Sequence, residues 1–545
     1  MVRIQDEAPQ VPSWTLAVVG LRNSTFYSRK PHQFGSVPSP LGPSDIHHVY
    51  DIPSTYTGSG QTIAVVEYDN FMDSDVIAYT NHYGMPAPNV QRIYVNHACE
   101  VCCDKAGQNC VSCLCTHQAP TTPGSGRPEV TLDIELALAI APKATILVYI
   151  AANIFTLSLI NQISIDNKAS VVSTSWGLPE DDFFPKATGE LAAESLIFKQ
   201  WAAQGQSNFV AAGDNGAFDD YHKPTTLMVD DPGSQPFSTS VGGTKLLLQN
   251  GNYLSESTWW QGTKQGGGGG GVSRYWSIPS YQVGVISPSS LGSNKMRNVP
   301  DISFDADPNT GYNIFVKGTF QVYGGTSCAA PIWAGFTALV NEYRSTVLNA
   351  GRIGFVNPVL YALGQRPDYN YYFHDIKDGS TNGYYPAVTG YDLATGWGTI
   401  KGQALLFGMG GCPKGELLLN GNCIHSSGVS LTNAPTNIPT FQMTNLPTIF
   451  PTNKPANPPI QKKKKRNPTR HRRHPPPPTK RPTLPTLRPT NQPTHQPTQQ
   501  PTHQPTDHPT SKPTSYPTLL RKNKASVSPT STPMEYEYET PSVSG

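Results

Sequence analysis

Short, unbroken apolar runs alternate with helical stretches from Gln61 onward. TIAVVE (62–67), ATILVYI (144–150), SVVSTS (170–175) and SNFVAA (207–212) lack the in–out alternation of a strand that faces water on one side. Continuous apolar runs of this length read as strands buried on both faces. Between them, residues 129–140 are nearly all apolar apart from their carboxylates. Residues 188–204 are amphipathic, with Leu191, Phe198 and Trp201 toward one face and Gly205 as a C-terminal stop. The pattern predicts an α/β domain: a doubly wound, mostly parallel sheet with helices on both faces.

Composition divides the 545 residues into unlike parts. Residues 429–545 hold 16 Lys and Arg against 4 Asp and Glu, which leaves 24 against 34 for the remainder. An acidic body thus carries a basic tail built of PT units such as PTHQPTQQPTHQPT, a composition that cannot bury a core. The expected divisions are an N-terminal extension (1–44), a main domain (45–410), a small Cys-paired appendage (411–428) and a disordered Pro/Thr-rich tail (429–545). The tail's Thr and Ser suit O-glycosylation, and KKKKR (462–466) with RHRRH (470–474) suit either a solvated linker or a polyanion. No apolar run reaches the roughly 18 residues of a transmembrane helix. The acidic body argues against nucleic acid as a partner, and a monomer is expected. Met1 to Gln10 lacks the basic start and apolar core of a secretory signal.

The nine cysteines are unevenly placed. Six crowd into the insert 99–115, Cys412 and Cys423 form a local pair, and Cys328 stands alone. Even-numbered clusters favour disulfides and an oxidising compartment. Zinc is the competing reading, since CEVC and CVSC are both C-x-x-C, although no His completes a familiar spacing.

The sharpest chemical signal is GGTSCAAP (324–331) ahead of a helical stretch. Two glycines free the backbone, and Ser327 falls at a helix start, where free N–H groups and the positive dipole end would serve an anionic intermediate. A simple helix cap is the plainer reading. A serine nucleophile needs a base, yet no H-G-x-H and no D-[ST]-G motif supplies a Ser-His-Asp triad. Carboxylates offer the alternative. Glu129 and Asp133 are spaced i, i+4 on an otherwise apolar helix that begins with Pro128. Like charges so placed are costly, more so when buried, and at least one carboxyl pKa should rise. Asp214, in AAGDNGA (211–217), follows an apolar strand, where ligands of such sheets gather. D-N-G is also an ordinary turn.

Taken together these motifs resemble the sedolisins, the serine-carboxyl peptidases. The resemblance rests on Ser327 in GGTSCAAP, Glu129 and Asp133 in EVTLD, and Asp214 in AAGDNGA, in that family's chain order. APKATILVYI (141–150), STSWG (173–177), VPDISFDADPNTGY (299–312) and the Gly run before VSRYW (272–276) add to it, over about residues 40–410. The resemblance implies a subtilisin-like fold and peptide hydrolysis at acidic pH. Ser327 would be the nucleophile, Glu129 the general base and acid, Asp133 its proton-sharing partner and Asp214 the oxyanion stabiliser. Endopeptidase action is favoured over tripeptidyl release, on a protein or peptide substrate. Glu67 and Trp176 match positions that extend the acid network in some members; a strand-end salt bridge and a core aromatic are their plainer readings. Ser175, Trp176 and Gly177 should form an edge that pairs with substrate backbone.

The family also implies a calcium (Ca2+) site, with side chains from Asp375 and Asp392 and carbonyls from Ile376, Val388 and Gly390. Two plain turns are the alternative there. About 45 residues precede the match, too few for the family's long propeptide, so either the start is truncated or the chain folds without one. The cysteine-rich insert, just before the catalytic helix, is expected to staple a loop near the cleft entrance. A secreted or acidic, lysosome-like location is expected. The competing functional readings are an inactive peptidase-like extracellular binding protein and a His-based subtilisin relative.

Overall fold

The computed structural model describes residues 32–34, 40–95, 101–103, 110–112, 119–152, 156–183 and 188–425. The chain divides into two units, 1–438 and 439–545, and the described residues all belong to the first. An eight-stranded sheet organises that unit. Its strands are β1 (Thr62–Glu67), β2 (Asn89–Tyr94), β3 (Thr145–Ile150), β4 (Val171–Thr174), β5 (Ser207–Ala211), β6 (Thr239–Gln249), β7 (Asn252–Thr258) and β8 (Ile302–Asp305). They lie in the order β7-β6-β5-β4-β1-β3-β2, with β8 also against β6. Every pairing is parallel except that of β6 with β7.

Successive residues of a strand face opposite sides. Ile63 to Glu67, Ile146 to Ile150 and the whole of β4 and β5 are buried without a break. Both faces of the sheet's centre are therefore covered, as the unbroken apolar runs predict. The covering helices include α1 (Asp73–His82), α2 (Arg127–Ile140), α3 (Thr156–Asp166), α4 (Thr188–Ala203) and α5 (Thr326–Thr346). Helix α3 packs on α4, while α5 packs on α2 and on β4, β5 and β6.

The crossing of α2 and α5 is unusually close. A Cβ on Gly335 of α5 would lie 2.8 Å from Ile140 Cβ and 3.1 Å from the Ala137 carbonyl oxygen of α2. Every residue from Glu129 to Ile140 is buried, because α2 is enclosed by α5, β1 and α1. Three carboxyl groups, Glu129, Asp133 and Glu135, go inside with it.

The body reaches back across the boundary expected at residue 45. Leu41 is buried, its N–H donates to Gly311 O (2.9 Å) and its carbonyl accepts from Asn313 N (3.0 Å). His32–Phe34 pairs antiparallel with Val322–Gly324. At the other end, the expected Cys412–Cys423 pair is a disulfide, and it ties a hairpin of Glu416–Leu419 and Asn422–His425. Cys328 is a buried free thiol. Within the insert, Val101–Cys103 and Cys110–Ser112 pair antiparallel. The partners of its six cysteines, and the tail after His425, lie outside the described residues. Among the described residues no helix is long and apolar enough to cross a membrane.

Gly335→Ala should wedge the α2–α5 crossing apart, lowering stability by about 1–3 kcal/mol. The midpoint of urea unfolding measures this, and an unchanged midpoint would show that the crossing yields without cost.

Candidate active site

In a parallel sheet the carboxyl ends of neighbouring strands share one edge, where α/β sites form. Val66 pairs with Thr174, and Thr174 with Val210. Glu67, Ser175 and Ala211 therefore emerge side by side, and the chain from Ala211 runs on to Asp214. The start of α5 is at the same edge. Gly325 precedes it with φ of +117°, a conformation that disfavours any side chain. A Cβ there would also come within 2.9 Å of Asp214 Oδ2.

Asp214 is clipped to the first residue of α5. Its Oδ1 accepts from Thr326 N and from Thr326 Oγ1, both at 2.8 Å. Its Oδ2 is buried without a hydrogen-bond partner. Ser327 follows, fully buried, with an Oγ that also lacks a partner. Pro331 lies four residues on and has no N–H to give to the Ser327 carbonyl. The Ser175 hydroxyl lies 3.4 Å from that carbonyl oxygen. The same hydroxyl donates to Asp133 Oδ1 at 2.7 Å. Ser175 thus joins α2 to the start of α5 through its side chain, a role that sequence reasoning, which placed only its backbone against substrate, did not find. Thr326 was missed as well. An Asp after a strand and a Thr beside the nucleophile carry no sequence signal that they meet.

Glu129 and Asp133 sit one turn apart on α2, both fully buried. Burial pushes Asp133 up to about 7, against the lowering effect of bonds from Ser175 and Glu67. Glu67 is raised well above the ordinary carboxyl range, by burial first and then by the charge of Asp133. Burial thus favours the protonated form of both carboxyls, and the charge of Asp133 adds to it at Glu67. Trp176 Nε1 donates to Glu67 Oε2 at 2.8 Å, and its ring meets Tyr68 edge-on at 5.4 Å. The salt-bridge reading of Glu67 is thereby replaced: its partners are an indole and a carboxyl. Glu129, Asp214 and Asp133 all act on the start of α5. After burial, the charges of Glu129, Asp214 and Asp133 each raise the Cys328 thiol, one residue from Ser327.

Asp69 sets the start of α2. Its carboxylate accepts from Gly124 N (2.7 Å) and Gly126 N (2.6 Å), just ahead of Arg127. Gly177 is tucked against the 230–231 backbone, where a Cβ would lie 2.7 Å from the Asp231 carbonyl oxygen. A cavity of about 390 Å³, lined by Glu180, Asp181, Lys223, Arg274 and Tyr275, begins next to Leu178–Pro179. Among the described histidines, His47 bonds the Ala139 carbonyl and His374 stacks on Tyr253.

The turn through 388–390 brings the calcium candidates together. Gly390 N donates to Asp375 Oδ1 (3.2 Å) and Val388 N to Asp392 Oδ2 (2.8 Å). Asp392 Oδ1 accepts from Ala394 N, Thr395 N and Thr395 Oγ1. Burial still pushes Asp392 up to about 8, and it raises Asp375 as well. None of the described backbone hydrogen bonds ends on the carbonyls of Ile376, Val388 or Gly390. Two buried carboxylates with three carbonyls make the all-oxygen donor set that calcium takes, and a divalent cation would hold Asp392 ionised. Among the described residues no group of three or more His, Cys, Asp or Glu side chains gathers as a metal site, so carbonyls would carry much of the coordination.

Residues 95–350 match the model of the subtilase family, and residues 477–519 match the PT disordered repeat. Kumamolisin of a Bacillus species is 34% identical over 68% of this chain and 64% of its own length. Tripeptidyl-peptidase 1 of Dictyostelium discoideum is 27% identical over 65% of this chain and 54% of its own. The chain spans about three fifths of the length of the curated relatives it matches, 59% for Pseudomonas sedolisin. The solved structure of that Pseudomonas sedolisin, a serine-carboxyl proteinase, superposes with a TM-score of 0.57 at 30% identity, covering 68% of this chain and 98% of the sedolisin. With nearly all of a serine-carboxyl proteinase reproduced at that identity, this chain belongs to the sedolisin family.

Proposed function

We propose that the chain hydrolyses peptide bonds at acidic pH as a serine-carboxyl peptidase, acting on protein or peptide substrates. The observation that carries this reading is the convergence of Glu129, Asp133 and Asp214 about the start of α5, beside Ser327. Ser327 Oγ attacks the scissile carbonyl and its proton passes to Glu129. Asp133 shares a proton with Glu67 and so steadies Glu129 against a second full negative charge. Asp214 Oδ2, buried and without another partner, donates to the oxyanion, which a carboxyl does only while protonated. Glu129 then gives its proton to the leaving amine, the acyl group stays on Ser327, and water releases it by the reverse relay. Ser175, Trp176 and Gly177 extend past β4 as the edge for substrate backbone.

Endopeptidase action is the form we favour over tripeptidyl release; tripeptidyl-peptidase relatives match at 25% to 31% identity, below the 34% of kumamolisin. Calcium, held by Asp375, Asp392 and the carbonyls of Ile376, Val388 and Gly390, would supply charge that keeps this turn closed. An acidic extracellular or lysosome-like location fits the chemistry. The basic PT tail offers a site for polyanions or O-glycosylation.

Cleavage of an unfolded protein should be confined to acid and should fall on the order of 10³-fold or more in Ser327→Ala and in Glu129→Gln. A neutral optimum, or full activity in Ser327→Ala, would overturn the reading. The raised carboxyls also set stability. Between about pH 4 and about pH 7 the folded chain keeps protons that the unfolded chain has released, so stability should fall as pH rises. Asp133, moved from 3.8 to about 7, accounts for about 4 kcal/mol of that fall. Asp133→Asn should flatten the slope of Tm against pH. Chelation should lower Tm by several degrees, and Asp392→Asn should abolish that response; an identical chelation response in Asp392→Asn would remove Asp392 from the metal site.

A further inference from the structure

A second pair of carboxyls lies outside the catalytic network, on the far side of Gly177. Glu194 projects from α4 and Asp231 from the segment that follows Val229, and both are buried. Gln235 Nε2 bridges them, donating to Asp231 Oδ1 at 2.9 Å and to Glu194 Oε2 at 3.2 Å. The two carboxyls also bond each other, which requires a proton between them. Asp231 pairs with Leu178 and Asp230 with Pro179 in a two-stranded ladder. Gly177 closes onto the same backbone, its Cα facing the Asp231 carbonyl oxygen and the Asp230 carboxylate. Anything that shifts residues 230–231 therefore shifts the edge at Ser175–Gly177.

We propose that Glu194 and Asp231 are positioning residues for substrate: one shared proton fastens the 228–235 segment to α4 and so holds the substrate-binding edge in place. This rests on the peptidase reading above and adds to it a second, independent use of acid.

The surroundings make the proton necessary. Glu190 lies one turn before Glu194 on α4, and Asp230 and Glu180 face Asp231. Glu180 is itself tied to Ser273 Oγ (2.6 Å) and Arg274 N (2.8 Å). The Arg274 guanidinium is engaged by Asp181 and the Leu227 carbonyl. Facing groups are thus acids and neutral donors. Burial pushes Glu194 up to about 7, and burial followed by the charge of Glu194 raises Asp231 well above its ordinary range. Loss of the proton would leave two carboxylates bridged by one amide, with acids and neutral donors facing them among the described residues, and the segment would part from α4. Gln at position 194 replaces the proton with a permanent N–H donor.

The test uses the full chain, comparing wild type, Glu194→Gln and Glu194→Ala. Amide exchange across 178–181 and 228–235, corrected for intrinsic rates, is measured at pH 4 and pH 9. Peptide-substrate kcat and KM are measured between pH 3 and pH 6. Wild type should lose protection on the order of tenfold between the two pH values. Glu194→Gln should keep it at both, and Glu194→Ala should lack it at both. KM should follow protection while kcat at pH 4 stays within about twofold. Equal pH responses in wild type and Glu194→Gln, or a change in kcat without KM, would overturn the proposal. Exchange needs no turnover, so the two readings fail separately. Absence of cleavage with the expected exchange pattern would sink the peptidase reading alone.

Discussion

The close crossing of α2 on α5 is the constraint on which the rest of the site depends. Gly335 lets the two helices approach until Ile140 and the Ala137 carbonyl fill the space of a side chain. That approach encloses α2 completely and forces its carboxyl groups into the protein. It also brings Asp133 within reach of Ser175, which bonds the backbone of Ser327 in turn. Burial, usually an obstacle for a carboxylate, becomes the source of the chemistry. Without water an acid keeps its proton to higher pH, and a neighbouring carboxyl strengthens the effect, as Asp133 does for Glu67.

The same device recurs through the molecule. Glu67, Asp133, Glu135, Glu194, Glu256 and Asp305 are all raised, with burial as the largest cause. Their partners are mostly uncharged. Glu256, for example, accepts from the hydroxyls of Tyr50, Thr244, Tyr253 and Thr399. Hydroxyl and amide donors serve a protonated acid as well as an ionised one, so the interior suffers little when pH falls. The buried Arg297–Asp301 ion pair is the contrasting arrangement, with a cation committed to one acid. A chain that buries its acids among neutral donors keeps those contacts as pH falls, far from Ser327 as well as beside it.

Much of the fold was legible because strand burial on both faces leaves a plain mark. The four apolar runs from Thr62 to Ala212 became β1, β3, β4 and β5 with ends moved by a residue or so. Helix α2 was legible for the same reason, and its acids stood out because nothing else on it is polar apart from Arg127 and Thr131. Less legible were elements whose burial comes from distant partners. Leu41 and His32–Phe34 join the body through Gly311, Asn313 and residues 322–324, nearly three hundred positions away.

The sequence by itself determined the class of sheet, the acids on α2, the serine at a helix start and the family to which these belong. Each of these is written in local spacing, and local spacing follows from helix and strand periodicity. Only the tertiary structure decided which groups meet. Glu67 with Asp133, Asp214 with Thr326, and Glu194 with Asp231 each join elements far apart in the chain. Proton sharing depends on distance and on exclusion of water, and both arise when strands align their ends and helices close over them.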